Sequence, residues 1–231
     1  MFQGFPEETI RFFLDVRFHN DMAFVHAHEK EYKEYVKQPF YSFIEALGDT
    51  MLSISDDMEI RPVKCLARLR RDTRFTKDKS PYRDHLWLCF RRAGASKEGS
   101  VNYWFELTPE TVDWGLGFWF ENRSAMNTLR KRMVEKPDEV LEALRKSRLP
   151  GKDLLVDGRR YQRMKPPEGM ALPLALLYPM KEMFIQRVNV PFGKVYTPEI
   201  LDMVRKDFLR LKPMYKLLCS VADEANASLD P

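Results

Sequence analysis

Glycine and cysteine are scarce in this chain of 231 residues, with ten copies and three copies respectively. So little glycine leaves no room for a collagen-like repeat or a Gly/Ser linker, and no internal repeat or low-complexity tract is present. Cys65, Cys89 and Cys219 are odd in number and widely spaced. That pattern fits reduced thiols in a cytosol better than a disulfide framework or a Cys-x-x-Cys site, so the expected location is cytoplasmic. No apolar run approaches the ~20 residues that span a bilayer. Residues Met1 to Glu8 lack the basic and apolar segments of an export signal, so no membrane partner is expected. Gly-x-x-x-x-Gly-Lys-Ser/Thr and Gly-x-Ser-x-Gly are both missing, which excludes P-loop nucleotide hydrolysis and α/β-hydrolase chemistry. Gly115-Leu116-Gly117 lacks a third glycine and leads into Phe118-Trp119-Phe120, so it is no dinucleotide loop. His26 and His28 stand about 200° apart on a predicted helix and cannot share a zinc ion. His19 and His85 look isolated and fit surface or capping roles. No cofactor and no metal are expected.

Hydrophobic residues at 44% and charged residues at 31% give a chain able to build a core, which excludes a disordered one. The length suits a single domain over residues 1–231. The net charge of +4 conceals an asymmetry. Residues 1–60 carry five Lys/Arg against twelve Asp/Glu, a net of -7. Residues 61–83 carry nine Lys/Arg against Asp72 and Asp78, a net of +7, and the remaining 24 basic and 20 acidic residues nearly balance. A short basic cluster suits one compact anion better than the long stripe a nucleic-acid binder spreads along phosphates.

Periodicity predicts an α+β fold, with an antiparallel sheet of about five or six strands packed by helices on one side. Residues 1–60 read as an acidic helical part. A short helix starts after Pro6 and runs to about Arg17, a second is capped by Asn20 or Asp21 and runs through Val36, and after Pro39 the apolar set Phe40, Phe43, Ile44, Leu47 and Met51 continues the helical period. From Val63 to Phe120 the period changes to two, giving strands at Val63 to Arg70, His85 to Arg92, Val101 to Thr108 and Thr111 to Phe120, with Gly94 to Gly99 as a loop. A two-residue turn at Pro109-Glu110 places Thr108 opposite Thr111. Val101, Tyr103, Phe105 and Leu107 then share a core face with Val112, Trp114, Leu116 and Phe118. Trp104 and Glu106 take the other face near Asp113, with Trp104 over Gly115. Residues 121–231 read as helices at 124–135 and Pro137 to Lys146 with short strands between. Asp157-Gly158 is a hairpin signal, Met183 to Val190 a strand, and Thr197-Pro198-Glu199 opens a final long helix that Pro213 kinks or ends.

The most informative stretch is Arg68-Leu69-Arg70-Arg71-Asp72-Thr73-Arg74-Phe75-Thr76-Lys77-Asp78-Lys79-Ser80-Pro81-Tyr82. If Cys65 and Leu69 face the core, Arg68 and Arg70 face away. Arg71, Arg74, Lys77 and Lys79 follow on a loop, where guanidinium forks suit a carboxylate or phosphate. With Trp104 these cations are the expected ligand-binding residues. Asp78, Phe75 and Pro81 are the expected structural support, and Asp72, Glu106 or Tyr82 the candidates for proton transfer.

This stretch resembles the signature Arg-x-x-Arg-Asp-x-Arg-Phe-x-Lys-Asp-Lys-x-Pro-Tyr of a bacterial and fungal family of uncharacterised proteins, domain of unknown function 2461. The resemblance continues at Gly4-Phe5, Asn20, Tyr32, Gly117, Leu129-Arg130 and Lys165-Pro166-Pro167-Glu168-Gly169. It implies a single α+β domain and no particular reaction. Asn20-Asp21-Met22-Ala23-Phe24-Val25 and Met170-Ala171-Leu172-Pro173 depart from the usual pattern of the family.

Two functional expectations follow, alongside a purely structural ion-pair network. One is the binding, with enzymatic processing as its extension, of a small phosphorylated or carboxylated anion. The other is an interaction module for nucleic acid or an acidic protein that recruits Arg159, Arg160, Arg163 and Lys165. Composition does not decide whether the chain is an enzyme, nor its oligomeric state.

Overall fold

The structure is a computed structural model that describes residues 2–74, 77–96, 99–118 and 120–227. It is an α+β fold. Its strands are β1 (Leu86–Phe90), β2 (Val101–Leu107), β3 (Val112–Phe118), β4 (Leu154–Asp157) and β5 (Phe184–Arg187). They form an antiparallel sheet in the order β1-β2-β3-β5-β4. None of the described helices is long and apolar enough to cross a membrane. The chain falls into two compact units, each assembled from three segments.

The first unit comprises Met1–Arg92, Trp104–Trp114 and Val190–Lys206. Its opening helix, Glu7–Phe18, has Pro6 as N-cap and two first-turn acids, which suit the positive end of the helix. Asp21 caps the next helix, Met22–Ala27, by accepting the Phe24 N–H at 2.8 Å. The predicted continuous second helix is interrupted at His28. From residue 29 the helical path instead runs unbroken to Ile54, passing straight through Pro39. Proline has no N–H to give the Tyr35 carbonyl one turn back. The chain widens into a π-helical turn at Tyr32–Lys37, and the buried Thr9 hydroxyl donates to that carbonyl. One absent donor is thus replaced from another helix.

The core of this unit is aromatic. Phe5 stacks on Phe105 at 5.8 Å between ring centroids, Phe43 meets Phe105 at 4.7 Å, and Phe105 meets Trp114 at 6.3 Å. Gly4 lets the N-terminal strand of chain enter this cluster. With φ +114° and a would-be Cβ 2.5 Å from the Tyr196 backbone, it has no room for a side chain.

The predicted strand Val63 to Arg70 does not form. Pro62 instead opens a single helical turn, Pro62–Cys65, and only isolated bridges tie the rest to its neighbour, Leu66 to Leu88 and Arg70 to Tyr82. Between those bridges one side advances four residues and the other six. The Ala67 N–H donates to the Trp87 carbonyl and the Arg83 N–H to the Leu69 carbonyl, so the surplus lies at residues 84–86 and the chain bulges there.

The second unit comprises Ala93–Tyr103, Gly115–Asn189 and Asp207–Pro231. Helices Arg123–Glu135 and Pro137–Lys146 form as expected. The final helical stretch, whose residues up to Lys206 belong to the first unit, divides at Leu211 into Glu199–Arg210 and Lys212–Ala227, beside Pro213. Tyr103 packs on Phe208 and Tyr215, with its hydroxyl donating to the Phe208 carbonyl at 3.1 Å. Asp157-Gly158 is no hairpin turn. β4 pairs with β5, Leu155 opposite Gln186, and residues 159–161 lie against 179–181. Gly158 is needed for a different reason: φ is +145°, and a Cβ there would lie 2.2 Å from the Glu182 carbonyl oxygen.

Candidate functional site

The signature segment lies in the first unit and doubles back on itself. The Arg71 N–H donates to the Pro81 carbonyl at 2.8 Å and the Arg83 N–H to the Leu69 carbonyl at 2.9 Å. Leu69 is buried while Arg68 and Arg70 are exposed, the alternation that an extended chain imposes. The tip is braced by its own charges. Arg71 pairs with Asp78, and Arg74 forks onto Asp72 through Nε at 3.0 Å and Nη2 at 2.8 Å. Lys79 Nζ reaches back to the Thr73 carbonyl at 2.8 Å, and Asp78 accepts the Ser80 N–H at 2.9 Å. Hydrogen bonds from Arg74 pull Asp72 down to about 2. The Ser80 backbone and hydroxyl, then Arg71, hold Asp78 below its usual range. Asp72 is therefore anionic near neutral pH and braces Arg74.

Not every cation is so engaged. Among the described residues, no carboxylate pairs with Arg68, Arg70 or Lys77, and all three side chains are exposed. Arg83 bonds through Nη1 to two neutral acceptors, the Arg68 and Arg70 carbonyls, at 2.9 and 2.7 Å. Its guanidinium lies 4.8 Å from the Trp87 ring centroid. Tyr82 is buried, with its backbone held by Asn20. Pro81 supplies a carbonyl to the hairpin, Trp104 is half-buried on β2, and Phe75 lies outside the described residues.

His85, read as isolated from the sequence, is not. Its Nδ1 lies 2.9 Å from Asp84 Oδ1 and its Nε2 lies 3.6 Å from Glu106 Oε1 on β2, while its ring stacks beside Trp87 at 5.8 Å. Asp84 is held in turn by Arg17 Nε at 2.6 Å, and Arg17 also pairs with Glu110. Burial works against the Asp84 charge, but the bonds from His85 and Arg17 outweigh it and keep the carboxyl below its ordinary value. Glu106 moves the opposite way. Burial raises it, His85 opposes, and Asp113 adds to the rise. A raised carboxyl facing an imidazole can move a proton. The adjacent acid-histidine pair at 84–85 was visible in the sequence, but the bulge that turns it toward Glu106 was not.

No group of described His, Cys, Asp and Glu residues has the arrangement to hold a metal ion. All three cysteines are buried and none is in a disulfide. Burial, then the Glu59 charge, pushes the Cys65 thiol up to about 12, so Lys64 next to it does not make it a nucleophile.

The α+β fold and the signature hairpin define the class, and comparison places the chain within it. The family model described as conserved hypothetical protein (DUF2461) matches residues 8–217, and the chain belongs to that family. No curated protein and no solved structure matches.

Proposed function

We propose that the protein binds a small phosphorylated or carboxylated anion on the signature hairpin, with Arg68, Arg70 and Lys77 as the contacting cations. The observation that carries this reading is the division of labour among the charges. Arg71 and Arg74 are tied to Asp78 and Asp72, while Arg68, Arg70 and Lys77 meet no carboxylate among the described residues. The ion pairs of the hairpin brace the backbone from which the remaining cations project, so binding an anion need not order the loop itself.

The test is thermal stability against inorganic phosphate, nucleotides, sugar phosphates and dicarboxylates at fixed ionic strength, for wild type and for Arg68→Ala/Arg70→Ala. A ligand present at 100 times its dissociation constant adds about 2.7 kcal/mol. Stabilisation of wild type by one compound, lost in the double variant, supports the reading. If no small anion stabilises wild type but an oligonucleotide or an acidic peptide does, with steep loss on adding salt, the interaction module replaces it.

A further inference from the structure

We propose that Asp84, His85 and Glu106 form a proton-transfer site, in which His85 Nε2 and the Glu106 carboxyl exchange a proton with a bound substrate and Asp84 positions the imidazole. This site stands apart from the anion reading, because its geometry and its test need no anionic ligand. Three relationships carry it. Asp84 accepts from Nδ1 at 2.9 Å, which selects the tautomer with Nδ1 protonated and leaves Nε2 as the basic nitrogen. Arg17 fixes Asp84 from its other oxygen at 2.6 Å, so the positioning residue is itself held. Nε2 then faces Glu106 Oε1 at 3.6 Å, beyond direct hydrogen-bond length, and catalytic contacts of this kind tighten when substrate closes the gap.

Glu106 is suited to the exchange because burial favours its neutral form and the Asp113 carboxylate reinforces that preference, against His85. The protonated carboxyl gives its proton to Nε2, and Nε2 passes a proton to a substrate oxygen or nitrogen. Each donor keeps the electron pair of the bond it gives up. The reverse sequence removes a proton from substrate. The class of substrate is therefore a compound that reacts by gaining or losing a proton at a heteroatom. The Trp87 ring beside His85, bearing Arg83, supplies one wall.

The test is carbethoxylation of the intact protein by diethyl pyrocarbonate, followed residue by residue across pH by peptide mass spectrometry, with the exposed His26 as internal reference. Wild-type His85 is expected to react, with an inflection in its pH-rate profile that reports Glu106. Glu106→Gln loses that inflection, and Asp113→Asn, which removes the neighbouring negative charge, moves it to lower pH. Circular dichroism checks that each variant is folded, and Asp113→Asn carries the test if Glu106→Gln does not fold. A His85 that stays unmodified while His26 reacts would overturn the proposal. So would a profile that neither substitution changes.

Discussion

The Asn20 carboxamide grips the Tyr82 peptide from both sides: its Nδ2 donates to the Tyr82 carbonyl at 3.0 Å and its Oδ1 accepts the Tyr82 N–H at 2.9 Å. A residue in the acidic helical third thereby fixes the last residue of the basic signature, 62 positions away. Asn20 is also one of the positions through which the chain resembles its family, and capping is the task of its neighbour Asp21.

Asn20→Ala removes both bonds and leaves a backbone donor and acceptor of the buried Tyr82 without that partner. At about 0.5–1.5 kcal/mol for each net hydrogen bond, the expected loss is roughly 1–3 kcal/mol. Urea denaturation measures it as a lower midpoint with an unchanged slope. A midpoint equal to that of wild type would mean that the hairpin needs no clamp.

Phe105 touches Phe5, Phe40, Phe43 and Trp114, so its ring is the hub of the first unit's core. Phe105→Ala is expected to cost about 3–5 kcal/mol, the range for deleting a buried aromatic ring. Phe18→Ala, at a side chain left exposed, is the control and should stay within about 0.5 kcal/mol of wild type.

Acid stability has a named contributor in Glu59. Hydrogen bonds from the Arg61 side chain, against the opposing effect of burial, bring its carboxyl from 4.5 down to about 2. A depressed folded value means that the unfolded chain binds the proton more readily. This stabilisation is therefore complete above the unfolded value and is lost as pH falls toward about 2. Arg61→Gln should flatten the stability profile between those limits and leave its shape near neutrality unchanged, as read by denaturation midpoints at stepped pH.

The thiols should be silent in the native state. Cys65 donates to the Glu59 carbonyl at 3.1 Å and is pushed up to about 12, and Cys89 and Cys219 are buried as well. Ellman's reagent at pH 8 should label no thiol rapidly in the folded protein and all three after denaturation. Rapid labelling of Cys65 in the folded protein would contradict its assignment as an inert core residue.

Much of this was legible in the sequence, for physical reasons that differ from place to place. The alternation at Leu69, Arg68 and Arg70 follows from strand geometry, and the Thr108 to Thr111 turn from a two-residue connection, whose closing bond is 2.9 Å. What escaped depends on distant partners. The helical period resumes after Pro39 in the sequence, but the donor that Thr9 supplies to the Tyr35 carbonyl comes from a separate helix and leaves no local mark. Asp157-Gly158 reads as a hairpin because local turn chemistry says nothing of Glu182 pressing on Gly158. His85 reads as isolated because the bulge at residues 84–86 is a register difference between two segments, and no single segment encodes it.

Amide NMR during titration with inorganic phosphate at constant ionic strength reads directly whether Arg68, Arg70 and Lys77 hold an anion. Saturable shifts concentrated in residues 66–83 are expected, abolished by Arg68→Ala/Arg70→Ala with the rest of the spectrum intact. Shifts that never saturate, or that scatter over the surface and survive the double substitution, would contradict anion binding by these residues.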